Sequence, residues 1–552
     1  MGKYIEKYWD AFALIIIFVV CGLGFFYGIG SYALMDVDET RYVSMARDMF
    51  LSKNFLTLYL NHEYFFEKPP LYFWSECLSF GLFGHINEFT ARFATAFYAL
   101  LATLAVYFTG RKVVSAKFGF VSALILATSL EFVILARFAI LDIIVSSLVG
   151  ISVLCGFLTQ FVKDEHKKYF WWLFYLFIAL AVMSKGILGF AVPCGIMFFV
   201  SLFNKTFKKC FTPSYIIPGI LLFLMIVLPW HVIMLKTYDP LFFNEYIMKH
   251  HINRFFSSSE IGREQPFYFY IPMILWGAMP HAMAAIFVGI EKIKNWQKIN
   301  FSDMTQGRKF LWFNIIAFVF IFLFFSVSKT KLMTYILPIY VFLANIMGYL
   351  WYEYIYEKKH TLVIDISSYI ISGIFILTSL GGCFMKYYLP ENLYADISSI
   401  QWFCVKILII SGVALLVFTK LKNRMCAFMT LVLFIACLSG FGTKIFYQLN
   451  YAFGQQDLLD FAKQEKEAQH DLYVVNNPRK YSVLYYGDRV HYIFLEDEDC
   501  LPDELYKGTQ IYNENSRAII RNKEYEKLAQ KYDMELLQKK RKYSLVKIKS
   551  LK

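Results

Sequence analysis

The residues with the strongest chemical character in this chain are acids and bases set beside aromatic rings, in five short runs. The first is Asp36-Val37-Asp38-Glu39-Thr40-Arg41-Tyr42, directly after the first long apolar stretch. Phe66-Glu67-Lys68-Pro69-Pro70-Leu71 comes next, followed by Arg137 and Asp142 in ARFAILD, Lys185-Gly186, and Ser328-Lys329-Thr330-Lys331 running into Tyr335. Carboxylates can steady a developing cation or act as general base. Fixed Arg and Lys side chains suit a phosphate that takes up negative charge. A single pocket using them all requires elements that carry five distant segments to one place.

Composition says what those elements are. The chain has 552 residues, 58% hydrophobic and 19% aromatic, with only 18% charged. Soluble domains carry about a quarter charged residues, so this is a polytopic membrane protein. Its apolar runs of roughly 18–25 residues are long enough to cross about 30 Å of hydrocarbon as helices. They lack the alternation of an outer-membrane barrel. We read about thirteen spans: 10–33, 90–110, 118–136, 141–162, 169–184, 186–204, 214–236, 267–289, 310–328, 332–352, 362–385, 402–420 and 425–447.

The net charge of +13 is spread in a way that argues against nucleic acid. Lys and Arg gather in alternate short loops, among them Arg111–Lys117, Lys163–Lys168, Lys205–Lys209 and Lys420–Arg424, which is the signature of cytoplasmic segments. With Lys3 and Lys7 placed inside, residues 36–89, 137–142, 184–186, 237–266 and 328–332 all emerge on the outer side. The Lys-rich inner loops lack signature, whereas the outer ones pair acids with Arg, Lys and Tyr near span ends. Ionisable groups near membrane depth are costly and mark functional sites.

Each residue also has a plainer reading. Asp38 or Thr40 could cap a helix. Arg137 and Asp142 could form a structural ion pair. Lys68, Lys329 and Lys331 could be interfacial anchors whose stems snorkel. Thr40–Phe50 and Leu71–Phe83 read as amphipathic helices lying in the interface plane, the second opened by Pro69-Pro70. Lys68 then sits at headgroup level, where a cation suits a lipid-borne phosphate.

The first apolar run lacks a small-residue cleavage site and reads as a retained signal anchor. The ten cysteines show no CxxC or metal spacing, and no disulfide framework is expected. After Asn450 the character changes. Asp457–Glu467 and Glu524–Tyr532 read as helices, and Leu472–Val475, Tyr481–Tyr486, His491–Phe494 and Tyr543–Ile548 as strands. The expected division is a membrane domain over 1–449 and a small outer α/β domain over 450–552, with 36–89 and 237–266 as the large outer loops.

DVDETRYVSMARDM, FEKPPLYFW, ARFAILD, MSKGILGFAVP, LPWH, QPFYFY and FFSVSKTKLMTYILP together resemble the bacterial aminoarabinose (lipid A) transferases. These belong to the protein O-mannosyltransferase-like branch of type C glycosyltransferases, and the order matches over roughly residues 10–350. The resemblance implies an all-α type C glycosyltransferase fold with interfacial helices in its first periplasmic loop. It also implies a multi-pass location in the bacterial inner membrane, with active site and tail facing the periplasm. The family moves a sugar from a polyprenyl-phosphate carrier to an acceptor. By position, Asp38 and Asp142 match its acids. Arg41, Tyr42 and Lys68 match its phosphate and headgroup contacts, with Lys185 and Tyr335 in the same cavity. Glu39, Arg137, Arg254, Lys329 and Lys331 join the expected substrate contacts. Glu67, and His251 in KHHINRF, look like the family's metal partners, making a divalent metal (zinc, magnesium or manganese) a candidate cofactor. Lys249-His250 stands where the family pattern has an acid before that histidine, which counts against the metal.

The expected reaction takes an undecaprenyl-phosphate-linked sugar, 4-amino-4-deoxy-L-arabinose or another amino sugar, to lipid A phosphate. It proceeds by inverting displacement in a monomer, with no nucleotide cofactor and no nucleic acid. Two alternatives stay open. One keeps the donor and uses a protein hydroxyl or another envelope glycan as acceptor. The other is a lipid-linked-sugar transporter, which internal repeats and midplane charges would favour and which neither feature supports here.

Overall fold

Backbone groups inside hydrocarbon must pair within their own segment, so the apolar runs fold as helices. The computed structural model describes residues 8–61, 63–210, 212–253, 265–294, 304–388, 391–452, 455–477, 480–493 and 513–551. Helix α1 (Trp9–Cys21) continues into a wider turn at Gly22–Phe26. Two helices then come from the first polar segment, α2 (Asp38–Ser52) and α3 (Leu71–Phe83), with a short hairpin of β1 (Tyr59–Leu60) and β2 (Glu63–Tyr64) between them. Both helices fall where amphipathic helices were expected.

The long helices follow: α4 (Glu88–Val113), α5 (Ala116–Ala127), α6 (Leu130–Leu135), α7 (Leu141–Leu158), α8 (Asp164–Lys185) and α9 (Leu188–Phe203). A capping box opens α4, where Asn87 Oδ1 accepts from Thr90 N at 2.9 Å and Thr90 Oγ1 from Asn87 N at 3.0 Å. α7 lies at the centre of the bundle and is almost wholly buried, whereas the helix Pro213–Tyr238 is mostly exposed on the outside of the bundle.

Among the described residues, eight helices are long and apolar enough to cross a membrane, or nine with one bent pair. The remaining expected spans correspond to shorter or more polar helices: α5 with α6, α8, α9, and Ile339–Tyr352. Two expectations need correction. Residues 267–289 do not form one straight span, since Phe267–Gly277 and Ala282–Glu291 meet at 114°. Pro280 lies in the break, and a proline can neither donate to nor fit inside a continuing helix. The first span also ends at Phe26, short of residue 33.

The tail builds a five-stranded sheet of order β4-β3-β5-β7-β6: β3 (Asp471–Val475), β4 (Val490–Ile493), β5 (Ser516–Arg521), β6 (Tyr532–Lys539) and β7 (Tyr543–Leu551). β3 pairs parallel with β4 and β5, with Leu472 opposite Val490 and Tyr473 opposite Ala518. β7 is antiparallel to β5 and β6. Tyr481–Tyr486, read as a strand, is a helix. Residues 482–486 are all buried, and periodicity cannot separate helix from strand in so short a run. β5 and β6 were not foreseen.

Candidate active site

α2 divides its charged first turns by helical spacing. Asp38, Arg41 and Tyr42, three and four residues apart, share one face and line a cavity, while Glu39 points the other way into protein. The cavity holds ≈1210 Å³ of empty space, part of it open to solvent. Glu67 and Lys68 enter from the turn before α3, Asp142 from the first turn of α7, and Lys185 from the last turn of α8. Ser328, Thr330, Thr334 and Tyr335 close the far side. Five distant runs therefore meet, as the sequence pattern required.

α7 and α8 are antiparallel neighbours, which explains the meeting of Asp142 and Lys185. An acid in a first turn and a base in a last turn are each favoured by their helix dipole, and this hairpin brings those two ends together. Gly186 at φ 74° supplies the left-handed residue that turns the chain from α8 into α9. Lys185 forms an ion pair with Asp142, and its Nζ lies 4.6 Å from the centre of the Tyr335 ring. Arg41 Nη2 is 2.8 Å from Glu67 Oε2, and its guanidinium lies 4.9 Å from the Phe65 ring centre. Lys68 Nζ donates to the Glu67 carbonyl at 3.1 Å. Burial raises the Tyr42 hydroxyl above its usual range, and Asp38 adds to the effect, so it stays protonated as a donor.

The lining contains three cations (Arg41, Lys68, Lys185) and three carboxylates (Asp38, Glu67, Asp142). Beside this polar end stand Leu141, Ile187, Leu188, Phe324, Phe325 and Leu332. Ile187 is 60% exposed, so the apolar wall continues to the outer surface of the bundle. A charged head with an apolar approach suits an anion borne on a hydrocarbon chain.

Several expected contacts lie elsewhere. Glu39 is 2% exposed and Arg92 is fully buried. Arg92 donates to Glu39 at 2.6 and 2.8 Å and to the carbonyls of Ile29, Tyr32 and Ala33 at 2.6, 2.7 and 2.9 Å. Glu39 also accepts from Met35 N at 2.7 Å and Ala139 N at 2.8 Å. Glu39 is therefore a structural anchor: it fixes α2 beside Asp38 and the turn that leads to Asp142. Arg137 is buried as well and holds the end of the first span by donating to Gly24 O and Tyr27 O, both at 2.8 Å. It does not pair with Asp142. Lys331 is buried and donates to Gln265 O at 3.0 Å and Ser328 O at 2.5 Å, while Lys329 is exposed. Neither lysine lines the cavity, although their loop does. Arg254 lies outside the described residues. His251 falls in the helix Phe243–Asn253, but its side chain is outside the described part.

Sequence reading missed Arg92, whose signal was a lone cation in the apolar run ARFATAF. It also missed Glu76 in α3. Tyr72 Oη contacts the Glu76 carboxyl and lies 2.7 Å from Ala139 O. One hydroxyl proton cannot serve both, whereas a neutral Glu76 can donate to Tyr72 Oη while Tyr72 donates to Ala139. Burial holds the Glu76 carboxyl well above its usual range, which agrees. Trp230 in LPWH supports the same region, with Nε1 donating to Leu56 O at 2.9 Å.

A metal between Glu67 and His251 would need the His251 side chain, which lies outside the described residues. Glu67 has a guanidinium as its partner, and no three His, Cys, Asp or Glu side chains converge among the described residues.

Comparison with known proteins agrees with this geometry. The sequence family described as dolichyl-phosphate-mannose-protein mannosyltransferase matches residues 10–240. An undecaprenyl phosphate-alpha-4-amino-4-deoxy-L-arabinose arabinosyl transferase of Proteus mirabilis is 30% identical over 328 residues, 59% of this chain and 57% of its own. An Enterobacter transferase of the same name is 31% identical over 324 residues, 57% of this chain and 55% of its own. The crystal structure of ArnT from Cupriavidus metallidurans bound to undecaprenyl phosphate superposes with a TM-score of 0.76 at 19% identity, covering 98% of this chain and 97% of that one. The chain is similar to aminoarabinose transferases over a little more than half of its length. Its matches span a little over half the length of those curated relatives, whereas the fold is shared along nearly the whole chain. The resemblance read from the motifs therefore holds. The all-α membrane fold with a small α/β tail is that of ArnT, and the apo ArnT structure gives a TM-score of 0.77.

Proposed function

We propose that this chain is a membrane glycosyltransferase that moves 4-amino-4-deoxy-L-arabinose or a related amino sugar from undecaprenyl phosphate to a phosphate of lipid A. The reaction takes place on the periplasmic face of the bacterial inner membrane. Residues 1–449 form the transferase domain and 450–552 an outer domain of a monomeric enzyme. The observation that carries this reading is the cavity itself, with Arg41, Lys68 and Lys185 at one end and an apolar wall leading to the bundle surface. The names of the relatives agree with it.

The chemistry follows from where charge moves. An oxygen of the acceptor phosphate attacks the anomeric carbon as the bond from that carbon to the carrier phosphate breaks. The electron pair of the broken bond leaves with the carrier phosphate, and no proton needs to move. Arg41, Lys68 and Lys185 hold the departing phosphate by charge-assisted contacts already in place before reaction. Asp38 and Asp142 face the carbon as it becomes cationic and can bind an amine on the sugar. One displacement inverts the anomeric centre.

The test is mass spectrometry of lipid A from cells with and without the chain. The expected result is a pentosamine increment that depends on the chain and is lost in Lys68→Ala and Asp38→Ala, with both variants still inserted in the membrane. Unmodified lipid A with the wild type, or full modification by either variant, would overturn the reading. The same increment on a periplasmic protein alone would replace the acceptor.

A further inference from the structure

The residue two places before Asp38 is held by the far end of the chain. The Asp36 side chain is 3% exposed, and its carboxylate accepts from Ser482 N and Ser482 Oγ, both at 2.8 Å, and from Thr40 Oγ1 at 2.7 Å. Lys480 Nζ stands 3.5 Å away. The backbone on either side is held too. Asp36 N donates to Gln455 Oε1 at 3.1 Å, and Leu34 N to Tyr486 Oη at 3.0 Å. From within α2, Arg47 donates to Tyr485 O at 2.7 Å. The tail helix Tyr481–Tyr486 is thus joined to the start and to the third turn of α2, the helix that presents Asp38, Arg41 and Tyr42.

We propose that this tail helix, acting through Ser482 and Asp36, positions α2, and that the tail thereby sets the geometry of the cavity. The proposal rests on reading the cavity as the transfer site. The partners of Asp36, namely Thr40, Ser482, Lys480 and Gln455, lie outside the cavity lining, so Asp36 is a positioning residue. Two residues of chain span at most about 7 Å, so a shift at Asp36 has little slack in which to die out before Asp38. A misplacement of about 1 Å can lower a rate about a hundredfold. A carboxylate shared by Thr40 of α2 and Ser482 of the tail resists such a shift because it cannot move without losing buried bonds at both.

The experiment uses the purified full-length chain in four forms: wild type, Asp36→Ala, Ser482→Ala and Ser482→Thr. Undecaprenyl-phosphate-linked sugar is the donor and lipid A the acceptor. We expect kcat to fall about a hundredfold in Asp36→Ala and about tenfold in Ser482→Ala, with the donor KM within about threefold of wild type. Ser482→Thr keeps the hydroxyl and should recover most of the loss. Amide hydrogen exchange in residues 38–42 should quicken in both alanine variants while that of α7 stays unchanged. Wild-type kcat in Asp36→Ala, no recovery in Ser482→Thr, or unchanged exchange in residues 38–42 would overturn the proposal. A wild-type chain that transfers no sugar would instead remove the functional reading, and the exchange comparison would still judge the coupling.

Discussion

The ion pair of Lys185 with Asp142 gives the site a perturbation whose two halves should act in opposite directions. The Lys185 side chain is 12% exposed, so solvent screens its contacts weakly, and a hydrogen bond to a charged group is worth about 1.5–3 kcal/mol. At about 1.4 kcal/mol per decade, Lys185→Ala should weaken binding of undecaprenyl phosphate roughly 10- to 150-fold. On the proposed reaction, Asp142→Asn removes the carboxylate that would compete with a lipid phosphate for Lys185. It should bind undecaprenyl phosphate no more weakly than wild type, yet transfer sugar more slowly, because the acid facing the cationic carbon is gone. Binding can be followed by titrating the purified protein in nanodiscs with the carrier lipid, and transfer by product formation on lipid A. Affinity within twofold of wild type in Lys185→Ala would refute the reasoning, for the lysine would then serve Asp142 alone.

Two further expectations concern the scaffold. Arg92→Leu leaves Glu39 as an unpaired buried carboxylate and should destabilise the protein by about 3–5 kcal/mol; thermal unfolding in detergent reads this, and Arg92→Leu with Glu39→Leu should recover part of the loss. Burial holds the Glu76 carboxyl well above its ordinary value of about 4.5, so above that pH the folded state binds more protons than the unfolded one and stability falls as pH rises. Glu76→Gln abolishes this slope, and its stability relative to wild type should grow with pH by up to about 1.4 kcal/mol per unit. A difference that stays flat from pH 4 to pH 8 would show Glu76 to be ionised in the fold.

Much of the site could be read from the chain because its chemistry sits at element ends. Asp38 and Asp142 begin helices, Lys185 ends one, and Lys68 precedes a proline start, so the apolar runs alone put them on one rim. What could not be read was direction. Glu39 and Arg41 are two residues apart, and the sequence does not say which face of α2 turns inward; only the buried partner Arg92 on α4 decides it. The same limit explains Arg137. It stands five residues before Asp142, yet it reaches back to the carbonyls of Gly24 and Tyr27 at the end of the first span. In the tail, the run Tyr481–Tyr486 reads as strand, while the structure has it as a helix docked on α2. That docking is invisible in either segment alone.

In the proposed reaction, the even balance of positive and negative groups in the cavity bears on how the spent carrier would be released. Before transfer the carrier phosphate is a diester with a single charge. Afterwards it is a monoester whose second ionisation falls near pH 6, so it carries nearly two. Unopposed cations would grip the spent lipid harder than the loaded one, and each turnover would stall with the carrier still seated. Asp142 and Glu67 already rest against Lys185 and Arg41, and in that reaction they would be resident rivals able to retake their partners as the lipid withdraws. Turnover in such a site depends on the carboxylates that replace the product as much as on the cations that welcome the donor.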